Sequence, residues 1–478
     1  MATKKDLVEA YSFSRRRLVT AFVSGAPGGR EVEPARPGRS IVGGVALAVL
    51  LMAGAAIGGV FDPQASIDID EPAFIIAKDK GSIYVIIDRR EGDTEPALRP
   101  ITNVTSAQLI LGSEVEPLYV PYDEIDDNPT GPTIGILDAP ATVPESSDLI
   151  QSGWTSCTGT GLGIKTNVSE EVGVAPTPGA GFVVQRKGEF FLIAEEPATA
   201  TRPARAYSYR LPANDTLNDE LEVALSDEAI EVPEPWLLLF PSGGSLDARG
   251  LNLEGAGQRP TFAGSESLPG NVRIGDYYLD VNQRPRVITS QGVATFSDFA
   301  FTVLRNTELG GRLPQQRSID SDAQLQLESV SPPYEPDAHW PTSTLSPADG
   351  ELCAQLQASG DAQPGVVLAQ APVGEASAED VTDPAAEEAA VDSGQGAFVM
   401  SAGWGESADG AEPVLVDERG RAYPLVGEET PEKLGYDIDD DWVLVPDTWL
   451  DLFGEGVELS QDAALCPPTT VKGAATCQ

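Results

Sequence analysis

Histidine is almost absent from this chain of 478 residues, which contains only His339. Triads of the Ser-His-Asp type need a histidine base, and many zinc sites use several histidines. A lone histidine cannot supply either arrangement. We therefore expect no catalytic residue, no metal ligand and no cofactor, and we predict that the protein is not an enzyme.

Basic residues are scarce as well: the chain has 31 Lys and Arg against 74 Asp and Glu, a net charge of −43. Residues 1–40 are the exception, with eight basic and four acidic side chains, and residues 41–61 carry no charge. The rest of the chain is therefore strongly acidic. Such a surface repels nucleic acid, so no nucleic-acid partner is expected.

Aromatic residues make up 6% of the chain, whereas it has 48 Gly and 39 Pro. This mixture is typical of short strands joined by many turns rather than of a helical bundle. We predict a mostly β fold with short helices.

A single long apolar run, residues 41–61, has the length of a bilayer-spanning helix, about 31 Å at 1.5 Å per residue. A cleaved signal peptide would have a shorter apolar region near the N-terminus. Arg30, Arg36 and Arg39 precede the run and acidic residues follow it. The positive-inside rule then predicts a single-pass protein of the cell membrane, with a cytoplasmic N-terminus and residues 62–478 outside the cytoplasm.

The basic arm before this run shows helical spacing of apolar side chains at Leu7, Tyr11, Leu18 and Phe22. It could lie on the anionic inner leaflet as an amphipathic helix, or it could dock on a cytoplasmic partner. The candidate docking residues are Tyr11, Phe13, Arg15, Arg16, Arg17 and Phe22.

Four cysteines, all beyond the apolar run, permit three disulfide pairings. No pair has the C-x-x-C spacing of a zinc or redox motif. Cys466 and Cys477 are close together and could tie down the C-terminal tail. Cys157 would then pair with Cys353 and close a very long loop, whereas a Cys157–Cys466 bond would overturn this assignment.

An internal repeat is visible in the acidic region. Residues 232–246 and 445–459 align without a gap and are identical at eight of fifteen positions, and residues 205–212 also resemble 421–428. Each copy has a Trp-Leu-x-Leu-Phe pattern that predicts a short helix, with Trp236, Phe240, Trp449 and Phe453 as expected core residues. An aromatic platform for a cell-wall ligand is the alternative. Residues 82–121 and 271–306 have the same order of strand, turn and helix, so we infer a repeated unit.

The stretch "CTGTGLGIKT", residues 157–166, resembles a phosphate-binding loop. That loop requires Gly immediately before its Lys, and here Ile164 precedes Lys165. The stretch is also expected outside the cytoplasm, where ATP is scarce. We therefore predict a turning link that leads into the second repeat, with ATP hydrolysis as the weaker alternative.

Five segments form an ordered set along the chain: "YSFSRRRLVTAF" (11–22), "LRPITNVTSAQLILG" (98–112), "PTGPTIGILDAPATVP" (129–144), "GWTSC" (153–157) and "VPDTWLDLF" (445–453). In this order they resemble the EccB family of type VII (ESX) secretion systems. In that family the Trp-x-x-Cys segment supplies one half of a disulfide. The chain departs from the family pattern at Asp138, where Gly is usual, and at Leu356, where Trp is usual.

The resemblance implies a structural subunit of the protein-export channel. Its elongated extracytoplasmic region would have a central β domain flanked by four small repeat domains. Partners would be the EccC motor ATPase, EccD, EccE and the mycosin protease, and the chain would self-associate. The expected segments are 1–40 arm, 41–61 transmembrane helix, 62–148 repeat 1, 149–180 central domain, 181–250 repeat 2, 251–330 repeat 3, 331–394 central domain with an acidic mobile loop at 375–396, 395–465 repeat 4 and 466–478 tail.

Overall fold

The computed structural model describes residues 4–24, 67–88, 95–199, 203–221, 229–334, 338–343, 345–347 and 350–468. The chain divides into two compact units, Met1–Ala65 and Ser66–Gln478. Helix α1, Lys4–Ser24, is the described part of the first unit. The apolar run at 41–61 lies outside the described residues, and within those residues every helix is too short or too polar to span a bilayer.

The second unit is mostly β with short helices, as the composition predicts. The first strands are β1 Ala73–Ala77, β2 Ile83–Ile86, β3 Leu98–Pro100, β4 Leu118–Val120, β5 Trp154–Thr158, β6 Ile164–Val168, β7 Ala175–Pro176, β8 Ala180–Arg186, β9 Glu189–Glu196, β10 Arg205–Arg210, β11 Ile230–Glu231 and β12 Tyr277–Leu279. The later strands are β13 Pro285–Ile288, β14 Val293–Ala294, β15 Ser329–Val330, β16 Ser346–Pro347, β17 Leu352–Gln357, β18 Gly365–Gln370, β19 Glu387–Val391, β20 Ala397–Ala402, β21 Glu412–Val416, β22 Arg421–Pro424, β23 Val443–Pro446 and β24 Gly454–Glu455.

The helices of this unit are short. They are α2 Val104–Leu111, α3 Tyr122–Asp126, α4 Asp215–Glu220, α5 Glu234–Leu237, α6 Ala248–Leu251, α7 Asp298–Asn306, α8 Ser321–Gln324, α9 Thr430–Lys433, α10 Asp447–Leu450 and α11 Gln461–Ala464. Polar side chains cap several of them: Asn103 accepts from the Ser106 N–H before α2, and Ser297 accepts from the Ala300 N–H before α7. Each such cap satisfies a backbone donor that the first helical turn leaves free.

Four of the sheets share one topology, and we call them β-units 1 to 4 (residues 73–134, 180–242, 277–330 and 397–455). In β-unit 1, strands β1, β2 and β3 form an antiparallel meander, and β4 returns after α2 to pair parallel with β1. β-units 2 and 4 repeat this order. In β-unit 3 the returning segment makes a single parallel bridge, between Tyr277 and Gln316.

After the returning strand, each β-unit has a short helix and then a second parallel contact with its third strand. That contact is Ile101–Ile134 in β-unit 1 and Ser208–Ser242 in β-unit 2. In β-units 3 and 4 it is the pairing of β15 with β14 and of β24 with β22. The common order of three strands, helix, strand, helix and strand relates all four units.

A fifth sheet, the central sheet, has the order β19-β6-β5-β17-β18-β7. Its strands come from two stretches of chain, before β-unit 2 and after β-unit 3. The acidic segment 375–396, expected to be a mobile loop, instead contains β19, which pairs parallel with β6. Its Ala and Glu residues are weak strand formers, but the backbone donors and acceptors at the edge of β6 give them a partner.

The three largest apolar clusters of the described residues each join two or more sheets. One buried cluster joins the central sheet to β-units 2 and 4, including Trp154, Trp236 and Trp449. A second cluster joins β-units 2 and 3, and a third joins β-units 1 and 4. Each β-unit is therefore stabilised by its neighbours as well as by its own strands.

Candidate functional site

A disulfide joins Cys157 to Cys353 across two neighbouring strands of the central sheet, and the sequence predicts this pair. The two residues lie directly opposite each other on β5 and β17, and both are fully buried. The bond spans 196 residues of sequence. Cys466 is buried, but Cys477 lies outside the described residues, so their pairing stays a prediction.

Trp236 of β-unit 2 packs on the central sheet. It lies in α5, whose first turn follows Pro233, and it is fully buried. Its indole Nε1 donates a 3.1 Å hydrogen bond to the carbonyl oxygen of Ser156 in β5, and its ring contacts Phe240 edge-on at 5.2 Å. The repeat motif thus binds the strand that carries Cys157.

Trp449 occupies the same position in α10 of β-unit 4 and is also fully buried in the shared cluster. Four residues later, Phe453 contacts Trp154 of β5 edge-on, with ring centroids 5.5 Å apart. Two copies of one motif therefore pack against the central sheet. The burial of Trp236 and Trp449 rules out their use as an exposed platform for a ligand.

The corresponding helices of β-units 1 and 3 have no tryptophan. Counting from the residue that precedes each helix, Glu124 and Ala323 take the position of Trp236. Neither belongs to the cluster that covers the central sheet. The two copies with the tryptophan, β-units 2 and 4, therefore use this helix to pack on the central sheet. The two copies without it, β-units 1 and 3, do not.

The Gly-rich stretch 157–166 forms the hairpin between β5 and β6 of the central sheet, rather than a link into the second repeat. A Cβ at Gly163 would lie 2.3 Å from the Ala386 carbonyl oxygen, so only glycine fits there. Lys165 forms ion pairs of 3.3 Å with Asp380 and Glu388. A phosphate-binding loop leads from a strand into a helix and leaves its lysine free for the anion, and this hairpin does neither.

Helix α1 agrees with the helical spacing seen in the arm. Leu7, Tyr11, Phe13 and Leu18 are each at least 60% exposed. Arg15 and Arg16 lie on the same helix, and the side chains of Arg17 and Phe22 are outside the described residues. An apolar set this exposed suits contact with another molecule.

Glu195 joins β-unit 2 to the central sheet, and no sequence pattern marks this residue as a contact. Its Oε1 accepts a 2.8 Å hydrogen bond from the Leu368 N–H of β18. Burial raises the pKa of this carboxyl, and the hydrogen bond from Leu368 only partly opposes that effect. Arg205 adds a second polar contact by donating to the Gln363 carbonyl oxygen at 2.6 Å.

His339 has a structural environment. Its Nδ1 lies 2.8 Å from Glu196 Oε2, and its ring stacks on Tyr207 with centroids 4.3 Å apart. Its carbonyl oxygen accepts a hydrogen bond from the Tyr209 hydroxyl. These contacts attach the segment after β-unit 3 to β-unit 2.

Comparison with known proteins shows one family along nearly the whole chain. The family model for "Type VII secretion system ESX-1, transport TM domain B" matches residues 1–472. The ESX-1 secretion system ATPase EccB1 of Mycobacterium tuberculosis is 25% identical over 370 residues, covering 76% of this chain and 73% of that protein. The ESX-5 secretion system ATPase EccB5 of Mycobacterium marinum is 32% identical over 151 residues, covering 31% of this chain and 28% of that protein.

Two solved structures have a similar fold. A chain of an intact ESX-5 inner membrane complex matches with a TM-score of 0.61 at 20% identity, covering 100% of this chain and 98% of that one. The EccB3 dimer from the ESX-3 core complex matches with a TM-score of 0.60 at 19% identity, covering 82% of this chain and 100% of that one.

Proposed function

Because this chain belongs to the EccB family of type VII secretion systems, we propose that it is a non-catalytic structural subunit of the membrane complex. The observation that carries this proposal is the attachment of β-units 2 and 4 to one disulfide-closed sheet through equivalent tryptophans. Such a body resists deformation, because its sheets share buried apolar clusters. A channel component needs this property and needs no reactive group.

We place the protein in the cell membrane, with residues 41–61 as its single span, residues 1–40 in the cytoplasm and residues 62–478 outside it. The four β-units would be the repeat domains of an elongated extracytoplasmic region, arranged around the central β domain. Their common strand order supports descent from one duplicated unit.

The proposed partners are a second copy of this chain, the EccC motor ATPase, EccD, EccE and the mycosin protease. One structure of similar fold is an EccB3 dimer from the ESX-3 core complex, and another belongs to an ESX-5 inner membrane complex. Helix α1 would contact the motor ATPase through Tyr11, Phe13 and the neighbouring arginines. Its exposed apolar side chains support this role.

Purification from membranes in a mild detergent, followed by identification of the co-purifying subunits, tests this proposal. We expect the other membrane components to be recovered with this chain. The double variant Tyr11→Ala/Phe13→Ala should lose the motor ATPase and keep self-association, whereas Val19→Ala, also exposed on α1, should keep both. Isolation of a complete complex without this chain would refute the structural role.

ATP hydrolysis is the competing function, since the names of related proteins include the word ATPase. The ion pairs of Lys165 with two carboxylates argue against it. We expect no turnover of ATP by the purified chain above that of a Lys165→Ala variant. Turnover that Lys165→Ala abolishes, while leaving the thermal unfolding unchanged, would establish the enzymatic alternative.

A further inference from the structure

The central sheet has a cavity of about 440 Å³ on the face opposite the tryptophans. Thr155 and Asn167, which pair across β5 and β6, both line it. Their chain neighbours Trp154 and Val168 belong to the apolar cluster on the other face. Side chains alternate between the two faces of a sheet, so the cavity and the cluster lie on opposite sides.

Two buried polar side chains border the cavity. Thr155 is 2% exposed, and its hydroxyl makes no hydrogen bond within the described residues. Asn167 is 6% exposed, and its Nδ2 donates a 2.6 Å hydrogen bond to the Glu375 carbonyl oxygen. That bond fixes the amide and leaves its oxygen available as an acceptor. The Thr155 hydroxyl lines the cavity and has no hydrogen-bond partner among the described residues, so the cavity suits a polar ligand group.

The charged side chains around the cavity are all acidic in the described part of the chain: Glu171, Glu375 and Asp392. Asp392 is held in place, because its Oδ2 accepts from the Ser169 hydroxyl at 2.9 Å and from the Glu170 N–H at 3.1 Å. The potential in the cavity is therefore negative, which favours a cationic group.

Two valines form an apolar rim. Val172 is 40% exposed and Val373 is 68% exposed. The Val373 N–H donates a 2.9 Å hydrogen bond to the Gly173 carbonyl oxygen, which joins the two rim segments. A ligand with an alkyl stem and a charged end would contact the rim with its stem and the carboxylates with its end.

We propose that this cavity binds a lysine or arginine side chain presented by a partner polypeptide. The volume is that of a cleft for a drug-sized ligand or a short peptide segment, more than a lone ammonium ion requires. The acidic lining would recognise the cation, and Thr155 and Asn167 would supply neutral hydrogen-bonding groups. The proposal does not depend on membership of a secretion complex.

The test measures binding of a short fluorescent peptide, Gly-Val-Arg-Val-Gly, to the purified full chain by anisotropy. A matched peptide with Gln in place of Arg is the control, and the free polyamine spermidine is the competitor. We expect saturable binding of the Arg peptide only, weakened by added salt. Equal binding of the Gln peptide, or no saturable binding of either peptide, would overturn the proposal. If spermidine binds more tightly than the peptide, the site is one for small cations and the assignment to a polypeptide is wrong.

Variants locate the binding. Glu171→Gln, at an exposed position, should weaken the Arg peptide about three-fold, and Glu171→Gln/Asp392→Asn about ten-fold. Thr155→Val keeps the side-chain shape and should weaken binding about three-fold. Asp409→Asn makes the same charge change at an exposed site away from the cavity and should leave binding unchanged. If Glu171→Gln binds as wild type does, or if Asp409→Asn weakens binding equally, the peptide does not bind in this cavity.

Discussion

The indole N–H of Trp236 donates to the carbonyl oxygen of Ser156, so a side chain of β-unit 2 is hydrogen-bonded to the backbone of the central sheet. Trp449 holds the equivalent position in β-unit 4, yet its indole N–H has no hydrogen-bond partner among the described residues. Both rings are fully buried. Two copies of one motif thus differ by a single hydrogen bond at the same kind of contact.

This difference predicts unequal effects of Trp236→Phe and Trp449→Phe. Both substitutions remove the same ring volume, but only the first also removes a hydrogen bond. We expect Trp236→Phe to lower the free energy of unfolding by about 1 to 2 kcal/mol more than Trp449→Phe does. Urea unfolding of the two variants side by side measures the difference. Equal losses would mean that the bond to Ser156 contributes nothing.

The disulfide predicts a large stabilisation of the second unit. Replacing both cysteines, Cys157→Ala/Cys353→Ala, releases a loop of 196 residues in the unfolded chain. We expect a loss of about 5 kcal/mol from chain entropy. Unfolding with and without a reductant is the control. The reductant should lower the free energy of unfolding of the wild type, and it should not lower that of the double variant through this bond.

Glu195 predicts a dependence of stability on pH. Burial raises the pKa of its carboxyl above the ordinary value of 4.5, so the folded chain holds this proton to higher pH than the unfolded chain does. Its contribution is therefore complete below that value and declines as the pH rises through the folded pKa. Glu195→Gln cannot ionise and should show no such decline, and its amide oxygen can still accept from Leu368.

The measurement is the free energy of unfolding of wild type and Glu195→Gln between about pH 4 and 8. The variant should gain stability relative to wild type as the pH rises. Glu195→Ala, which leaves the buried Leu368 N–H without its acceptor, should lose about 1 to 3 kcal/mol at every pH. A wild type that gains on Glu195→Gln with rising pH would contradict the assigned direction of the pKa shift.

We expect substitution of Asp276 to weaken β-unit 3 locally. This fully buried carboxylate pairs with Arg312 and with Arg317, whose Nε lies 2.8 Å from Asp276 Oδ2, and it accepts from the Gln315 N–H at 3.0 Å. Asp276→Asn should cost about 3 kcal/mol, because two guanidinium groups lose their charged partner.

Hydrogen exchange read by mass spectrometry should show the loss of protection in residues 312–317. Glu189→Gln, which removes the exposed ion pair with Arg210, is the control and should cost less than about 1 kcal/mol. Unchanged exchange in Asp276→Asn would mean that the segment is held by its backbone alone.

Sequence comparison identifies the two strong repeats but misplaces part of their alignment. The letters "RAY" match Tyr207 to Tyr423, whereas the structure equates Tyr209 with Tyr423. A Cβ at Gly243 would meet the ring of Tyr209 at 2.1 Å, and one at Gly456 would meet the ring of Tyr423 at 2.4 Å. Tyr209 and Tyr423 are equivalent because each packs on a glycine that is distant in sequence. A local match of letters cannot reveal such a contact.

The repeated Trp-Leu-x-Leu-Phe pattern predicts that Trp236 and Trp449 are buried, but it does not show which surface they pack against. The apolar pattern is the same whether a helix packs on its own sheet or on a neighbouring one. Likewise, nothing local marks β19, Glu387–Val391, as a strand, because its partner β6 is more than two hundred residues away. Asp392, which follows β19, reaches the cavity through that pairing.

The central sheet also sets an order of events for a newly made chain. Strands β5 and β6 are synthesised long before β17, and the intervening residues form β-units 2 and 3. Closing so long a loop is slow, because the chain loses conformational entropy before the stabilising contacts form. Strand β5 therefore remains without its partner β17 while β-units 2 and 3 fold. Maturation of this region should be limited by the late arrival of β17, and formation of the Cys157–Cys353 disulfide by an external thiol oxidant, which takes up the two electrons, should mark its completion.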